Sequence, residues 1–508
     1  MQPSKVWDRP LVVALLYTGI AAIVFGPFLS DVYLSDDFQV IYRVATTNAI
    51  FYNGFFRPLS DLTFWITYQL AGFQPLTLYV GGLGIHIGCT YALYAFARQN
   101  SRWWGFSQPA LPFLCGLLFL VYPFHLEAVL WGVGRGASLA TLCALLSLRY
   151  ADYPFRSLYL NVVWSCFFYF LGLSAYETIF PLPLMILLFK YFKDPRPINW
   201  RPWVIGFVLT LLLHVLLRLH WAGSFTGSYG NQVLHVSPKE VFLHGVRILA
   251  RLFVPPFEQT NYFLLGCFIA GLIGLWILTR YWIDRAALKK SSGLIVLPLM
   301  LFLSMGIAVT FSVSTHTSES DRLLYFASVW VCLWITMLIG NFFTSPKVTP
   351  WIWLLLIGIS LLQGYRGMLN WREASRQTRQ LLSQVKQTLR SGKKLLIVNL
   401  PGEYKGAYIL RNGFTEALQL DNLPDTAVQV ISQLNYKDLT PEPLRLHREK
   451  DRLVLPPGQW MQQKGEGIFS IYNRDQKEWT WNPVNTELWY WEGKRFISVQ
   501  AADLLPEQ

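Results

Sequence analysis

Charge is scarce in this chain: only 14% of its 508 residues are Asp, Glu, Lys or Arg, against 53% hydrophobic. A soluble globular domain carries roughly 25% charged residues, so a water-exposed fold of this length is excluded. Cysteine is equally thin. The six (Cys89, Cys115, Cys143, Cys166, Cys267 and Cys332) all fall in apolar runs, which excludes a disulfide framework, and no Cys/His pair has metal-site spacing. There is no Asn-x-Ser/Thr glycosylation acceptor, no A-x-A-like cleavage site after the first apolar run, no internal repeat and no phosphate-binding glycine loop. The missing acceptor motif favours a bacterial plasma membrane over an endoplasmic-reticulum one.

What is present is apolar sequence in lengths near the ~20 residues that a bilayer demands. About eleven such runs fill the first 370 residues, at roughly 11–29, 77–96, 110–123, 130–148, 158–175, 178–192, 203–221, 262–280, 293–312, 323–342 and 350–367. The fold class expected is therefore a polytopic α-helical membrane protein. Of the net charge of +13, most sits in this part, with 24 basic against 14 acidic residues, where it reports topology. Basic residues such as Arg98, Arg102, Arg149, Lys190, Lys193, Arg201 and Lys347 crowd one set of loops, and cytoplasmic loops retain Lys and Arg. The expectation is a multi-pass protein of the cell (inner) membrane, with a cytoplasmic N-terminus and everything after residue 370 outside.

After residue 370 the pattern changes. Residues 372–390 read as a basic amphipathic helix leaving the membrane. KKLLIVNLP, VQVISQLN, LRLHREKDRLVL, GIFSIYN and KRFISVQ read as strands and NGFTEALQL as a short helix. Two domains are expected: a transmembrane catalytic domain at 1–370 and a small extracytoplasmic α/β domain at 371–508.

The polar residues of the outer face are the candidates for chemistry. Asp36 and Asp37 are adjacent carboxylates just beyond the first apolar run, and their mutual repulsion calls for a cation, a basic partner or an acceptor hydroxyl. His125, Glu127 and Arg135 lie in YPFHLEAVLWGVGRGAS, Glu177 in SAYETIF, Arg218 near the end of an apolar run, and Glu319, Asp321 and Arg322 in SVSTHTSESDRLLYF. Ionisable residues at membrane depth are costly and point to function. Each could also be half of a structural ion pair.

These segments, with FFRPLSDLTFWITYQLAGF between them, resemble the membrane region of GT-C glycosyltransferases, above all the protein O-mannosyltransferases that carry tetratricopeptide repeats. The resemblance covers roughly residues 10–345. It implies an enzyme that transfers a sugar, with inversion, from a polyprenyl or dolichyl monophosphate to an acceptor hydroxyl on the outer side of the membrane. It further implies that Asp36 or Asp37 is the base, that His125 and Glu127 lie near acceptor or sugar, and that Arg135 and Glu177 match the family's Val-Gly-Arg and Lys-Glu positions. Gly136, Ala137 and Ser138 stand where an acidic residue commonly follows, Tyr176 stands in place of the lysine, and the repeats are missing.

The chemistry asks for the same residue types without the family. Glycosyl transfer needs a carboxylate at the hydroxyl that loses a proton and a cation at the phosphate that gains charge. Arg135, Arg218 or Arg322 suits the second need through bidentate contact, and Glu319 and Asp321 complete the candidate substrate-binding set. The residues identify no cofactor; a divalent metal (Mg or Mn) would have Asp36 and Asp37 as its candidate ligands. Partners expected are a polyprenyl-phosphate sugar donor, a protein, lipid or glycan acceptor and the bilayer, with no nucleic acid. A transporter or flippase of lipid-linked sugars is the alternative, although such proteins are usually built on internal repeats.

Overall fold

The computed structural model describes residues 9–500 apart from 52–53, 107, 154–156, 194–198, 228–229, 231–234, 284–292, 344, 346, 435–446, 450–451, 457, 466–467, 474, 476 and 494. It divides into two compact units, one formed by Met1–Leu29 with Thr47–Leu369 and the other by Ser30–Thr46 with Asn370–Gln508.

The first unit is helical. Several of its helices open on proline, at Pro10, Pro58, Pro75 and Pro238, the position where a missing N–H costs nothing. Pro238–Arg251 adds a capping box in which Ser237 and Glu240 satisfy each other's backbone N–H groups. A helix occurs within each of the eleven expected runs. Among the described residues, however, only five helices are long and apolar enough to cross a membrane, or six if the bent pair Leu111–Leu120 and Pro123–Leu130 is one span. The protein is thus multi-pass, and the other runs form shorter helices. Asp321–Asn341 is the central span, 89% of its apolar window being buried by protein, against 22% for Trp200–Ala222. Around it, Pro75–Gln99, Arg135–Ala151 and Leu158–Leu173 pack into one apolar core.

The run ending near 367 and the amphipathic stretch after it are one helix, Thr349–Arg390, of 42 residues. No proline interrupts it, and at 1.5 Å per residue it reaches ~63 Å, about twice the bilayer's hydrocarbon thickness. Three further helices, Asp36–Thr47, Pro58–Ala71 and Pro238–Arg251, lie in sequence read as loop.

In the second unit, a four-stranded sheet has the order β11-β10-β1-β4. Here β1 is Lys394–Pro401, β4 Val428–Leu434, β10 Thr486–Trp491 and β11 Phe496–Val499. The central β1 runs parallel to both β4 and β10 and is buried along almost its whole length, as a parallel strand covered on both faces must be. The short strands β2 (Glu403–Tyr404) and β3 (Ala407–Tyr408) form a hairpin, and helix Phe414–Leu420 follows it. Between β4 and β10 the chain makes a five-stranded antiparallel meander, β5 (His447–Glu449), β6 (Arg452–Leu455), β7 (Gln459–Gly465), β8 (Ile468–Tyr472) and β9 (Glu478–Trp481). The expected single strand LRLHREKDRLVL is therefore a hairpin, β5 pairing antiparallel with β6, and residues 444–446 and 450–451 of it lie outside the described residues. Leu396 and Val398 of β1 share one core with Leu453, Met461 and Phe469 of the meander.

Candidate functional site

The adjacent carboxylates belong to the second unit, because residues 30–46 pack with the C-terminal segment. Ser35, at φ +49°, turns the chain into helix Asp36–Thr47. Its N–H donates to Ile409 O at 2.9 Å, and its Oγ accepts from the Asn412 N–H at 3.2 Å. The turn separates the two side chains. Asp36 is half-buried, and its Oδ1 accepts from Asn412 Nδ2 at 2.6 Å. Asp37 is fully buried and accepts the Leu34 N–H at 3.4 Å, which ties down the start of the helix.

The first unit holds a different arrangement. Glu177 accepts from Arg57 through Nη2 at 2.9 Å and from Arg218 through Nη1 at 2.8 Å. Burial alone would raise the Glu177 pKa, but the two guanidinium groups override it and hold it near 2. Arg218 is anchored further by its Nε–H to Phe225 O at 2.7 Å. Tyr176 links this trio to a second ion pair. The Arg57 guanidinium lies 4.4 Å from the centroid of its ring, and its hydroxyl accepts from Arg322 Nε at 3.3 Å. Arg322 pairs with the fully buried Glu127 through its guanidinium and through its backbone N–H, the latter at 2.9 Å. Glu127 can sit there because residue 134 is glycine: a Cβ at that position would lie 2.0 Å from the Glu127 carbonyl oxygen. The side chains of Arg57, Glu177 and Arg322 retain 15%, 20% and 23% exposure, so the constellation opens to a surface. Three planar forks held at fixed positions are a surface made for an anion with several oxygens.

Of the candidate residues, Glu127, Glu177, Arg218 and Arg322 are thus brought together. Asp321 instead pairs with the fully buried Arg251, which also donates to Ser314 O at 2.9 Å and Val254 O at 2.8 Å and lies over Phe124. That pair is a lock inside the core. His125 is enclosed among Phe119, Tyr122, His86 and Tyr325, with its Nε2 2.6 Å from Ser328 Oγ. Arg135 is buried with its guanidinium 4.0 Å from the centroid of the Phe64 ring and Nη1 3.4 Å from Leu78 O. Glu319 lies in the turn 314–321, where its N–H donates to Thr317 Oγ1 at 3.3 Å.

Two members of the constellation are absent from the sequence-based set, Arg57 and Tyr176. Arg57 precedes the first residue of helix Pro58–Ala71, where the helix dipole disfavours a cation. That misfit is the signal by which it could have been found. Among the described residues no group of three or more His, Cys, Asp or Glu side chains could hold a metal ion. Asp36 is turned to the Asn412 amide and Asp37 to a backbone N–H.

No protein-family model matches the chain. It is 28% identical over 200 residues to the Homo sapiens protein O-mannosyl-transferase TMTC1, covering 35% of this chain and 21% of that protein. It is 32% identical over 93 residues to the Caenorhabditis elegans protein O-mannosyl-transferase F38B6.6, covering 18% of this chain and 13% of that one. The chain thus spans about a fifth or less of the length of these curated relatives. Among solved structures, it is similar to ArnT from Cupriavidus metallidurans bound to undecaprenyl phosphate, at 15% identity and a TM-score of 0.36, covering 82% of this chain and 89% of that one. The resemblance read from the sequence, to protein O-mannosyltransferases, is the one these curated relatives carry in their names.

Proposed function

We propose that this chain is a membrane glycosyltransferase of the GT-C type, which moves a sugar with inversion from a polyprenyl-phosphate carrier to an acceptor hydroxyl on the outer face of the membrane. The observation that carries the reading is the linked cluster of Arg57, Arg218 and Arg322 around Glu177, Tyr176 and Glu127. In it the carboxylates hold the guanidinium groups in place, and three guanidinium groups side by side suit a phosphate ester whose charge grows as the glycosidic bond breaks. Asp36 takes the acceptor proton as general base, and Asp37 holds the turn that presents it. No step is routed through a metal.

The carrier's isoprenoid tail also has a candidate place. A cavity of about 1920 Å³ is lined almost wholly by apolar side chains, among them Val246, Leu249, Leu301, Trp334, Leu338 and Leu356. Its wall includes Tyr122, Pro123, Phe124 and Pro181, a few residues from Glu127 and Glu177 along the chain. A hexose such as mannose is the first sugar to try.

The test is to purify the full chain and incubate it with synthetic polyprenyl-phosphate sugars. Turnover of one of them to free polyprenyl phosphate, abolished in Asp36→Asn, is the expected result. Tight donor binding with no cleavage, together with passage across a vesicle membrane, would replace the enzyme by a flippase.

A further inference from the structure

We infer that Asn412, a residue of the C-terminal segment, is a positioning residue for the carboxylate of Asp36, so that residues 370–508 take part in the reaction rather than only accompanying it. The inference rests on the proposed role of Asp36 as base and adds to it the group that aims it.

Three contacts carry the argument, all within the second unit. Asn412 Nδ2 donates to Asp36 Oδ1 at 2.6 Å; because a carboxylate only accepts, the amide nitrogen must face it. The backbone N–H of Asn412 donates to Ser35 Oγ at 3.2 Å, and the N–H of Ser35 donates to Ile409 O at 2.9 Å. One residue thus holds both the turn at Ser35 and the side chain that follows it. Gly413 explains how the segments come so close. It adopts φ +79°, and a Cβ there would lie 2.4 Å from the Ser35 carbonyl oxygen and 3.0 Å from the Phe38 Cβ. The sequence at 412–413 is therefore fitted to the acidic turn by an amide, a backbone donor and a missing side chain.

The chemistry suits a base. An amide donor on one carboxylate oxygen fixes the direction in which the side chain is presented. Misplacing a reacting group by about 1 Å can cost on the order of a hundredfold in rate.

The test uses the full chain in detergent with a synthetic polyprenyl-phosphate mannose as probe. Asn412→Ala should lower kcat roughly tenfold to a hundredfold with the donor KM unchanged, and Asn412→Asp, which sets two carboxylates against each other, should lower it further. In an Asp36→Asn background, Asn412→Ala should cost nothing more. An equal loss in both backgrounds marks a merely structural residue and overturns the inference. Hydrogen–deuterium exchange decides the same point without any turnover: Asn412→Ala, and more strongly Gly413→Ala, should speed exchange at residues 35–38 while β1 stays protected. Unchanged exchange at 35–38 in both variants overturns it as well. If Asp36→Asn is fully active while exchange responds as expected, the proposed base has failed and the positioning contact has not.

Discussion

Both units pair acidic residues with cations, Asp31 of the second unit with Arg379 among them, but the ion pairs of the helical unit and the acidic turn at Asp36 are built differently. In the helical unit the carboxylates of Glu127, Glu177 and Asp321 each meet an arginine. In the second unit, Asp36 meets a neutral amide. A carboxylate clasped by guanidinium is a poor proton acceptor but a good clamp, since the pairing that stabilises its charge also fixes the arginine. The Asn412 amide instead fixes the direction of the Asp36 carboxylate through a neutral donor. The same residue type therefore does two jobs, and the partner, rather than the depth of burial, tells which.

The largest effect should come from removing the amide-held carboxylate. Asp36→Asn preserves size and hydrogen bonding but not basicity, and a lost general base costs on the order of a hundred to ten thousand fold in rate. Donor binding and the melting temperature should stay close to those of the parent. Asp37→Asn should show the reverse balance, a modest loss of turnover with a measurable loss of stability, because its partner is the Leu34 N–H at the start of a helix. If both variants keep most of their activity, the division between clamps and bases collapses.

Among the clamps, the Arg251–Asp321 pair separates structure from function. Both side chains are almost fully buried, and breaking a buried pair by removing one partner costs roughly 3–5 kcal/mol. Arg251→Leu should accordingly lower the thermal midpoint sharply in a detergent melting experiment, while any folded fraction binds donor as tightly as the parent. Weaker donor binding without destabilisation would move Arg251 into the substrate site.

Arg57 should behave in the opposite sense. Its partner Glu177 is partly exposed and shared with Arg218, so the stability loss should be small, about 1 kcal/mol after screening. Arg57→Lys keeps the charge but loses the planar fork. A donor Kd raised several-fold at an unchanged melting temperature is the expected outcome, read by titration with a polyprenyl-phosphate sugar. Equal affinity would leave Arg57 as a strut for Glu177.

How much of this was visible beforehand follows the same physics. Apolar runs mark helices reliably because burial in lipid demands them, and a helix lies at each expected run. Their lengths were less legible, since a run enclosed by protein need not match the bilayer. Asp36–Thr47, Pro58–Ala71 and Pro238–Arg251 were missed because their charges read as loop, and β10, the partner of β1, because TELWYW lacks alternation when both its faces are covered. Glu127, Glu177, Arg218 and Arg322 could be picked out singly as charges in apolar surroundings. Which arginine serves which carboxylate could not, because Arg57 and Glu177 are 120 residues apart. Nor could the attachment of Asp36 to Asn412, 376 residues further on; only the fold brings those positions together.

The smallest expected effect concerns pH, and it sharpens the contrast from the clamp side. Glu177 is held near 2, well below an ordinary glutamate near 4.5, with burial opposing and Arg57 and Arg218 prevailing. A depressed folded-state pKa contributes stability that is fully present above the unfolded value and is lost as pH falls toward the folded one. The linked arginines should therefore keep their geometry from neutrality down to about pH 5, and loosen only as pH drops from about 4.5 toward 2. Donor affinity measured between pH 8 and pH 5 should be flat with respect to this pair, and Glu177→Gln should abolish whatever acid sensitivity of melting appears below that range. Turnover over the same range should likewise be flat with respect to this pair. Donor affinity that falls between pH 8 and pH 5 in the parent but not in Glu177→Gln would show that Arg57 and Arg218 do not hold Glu177 ionised, and the clamp would lose its chemical meaning.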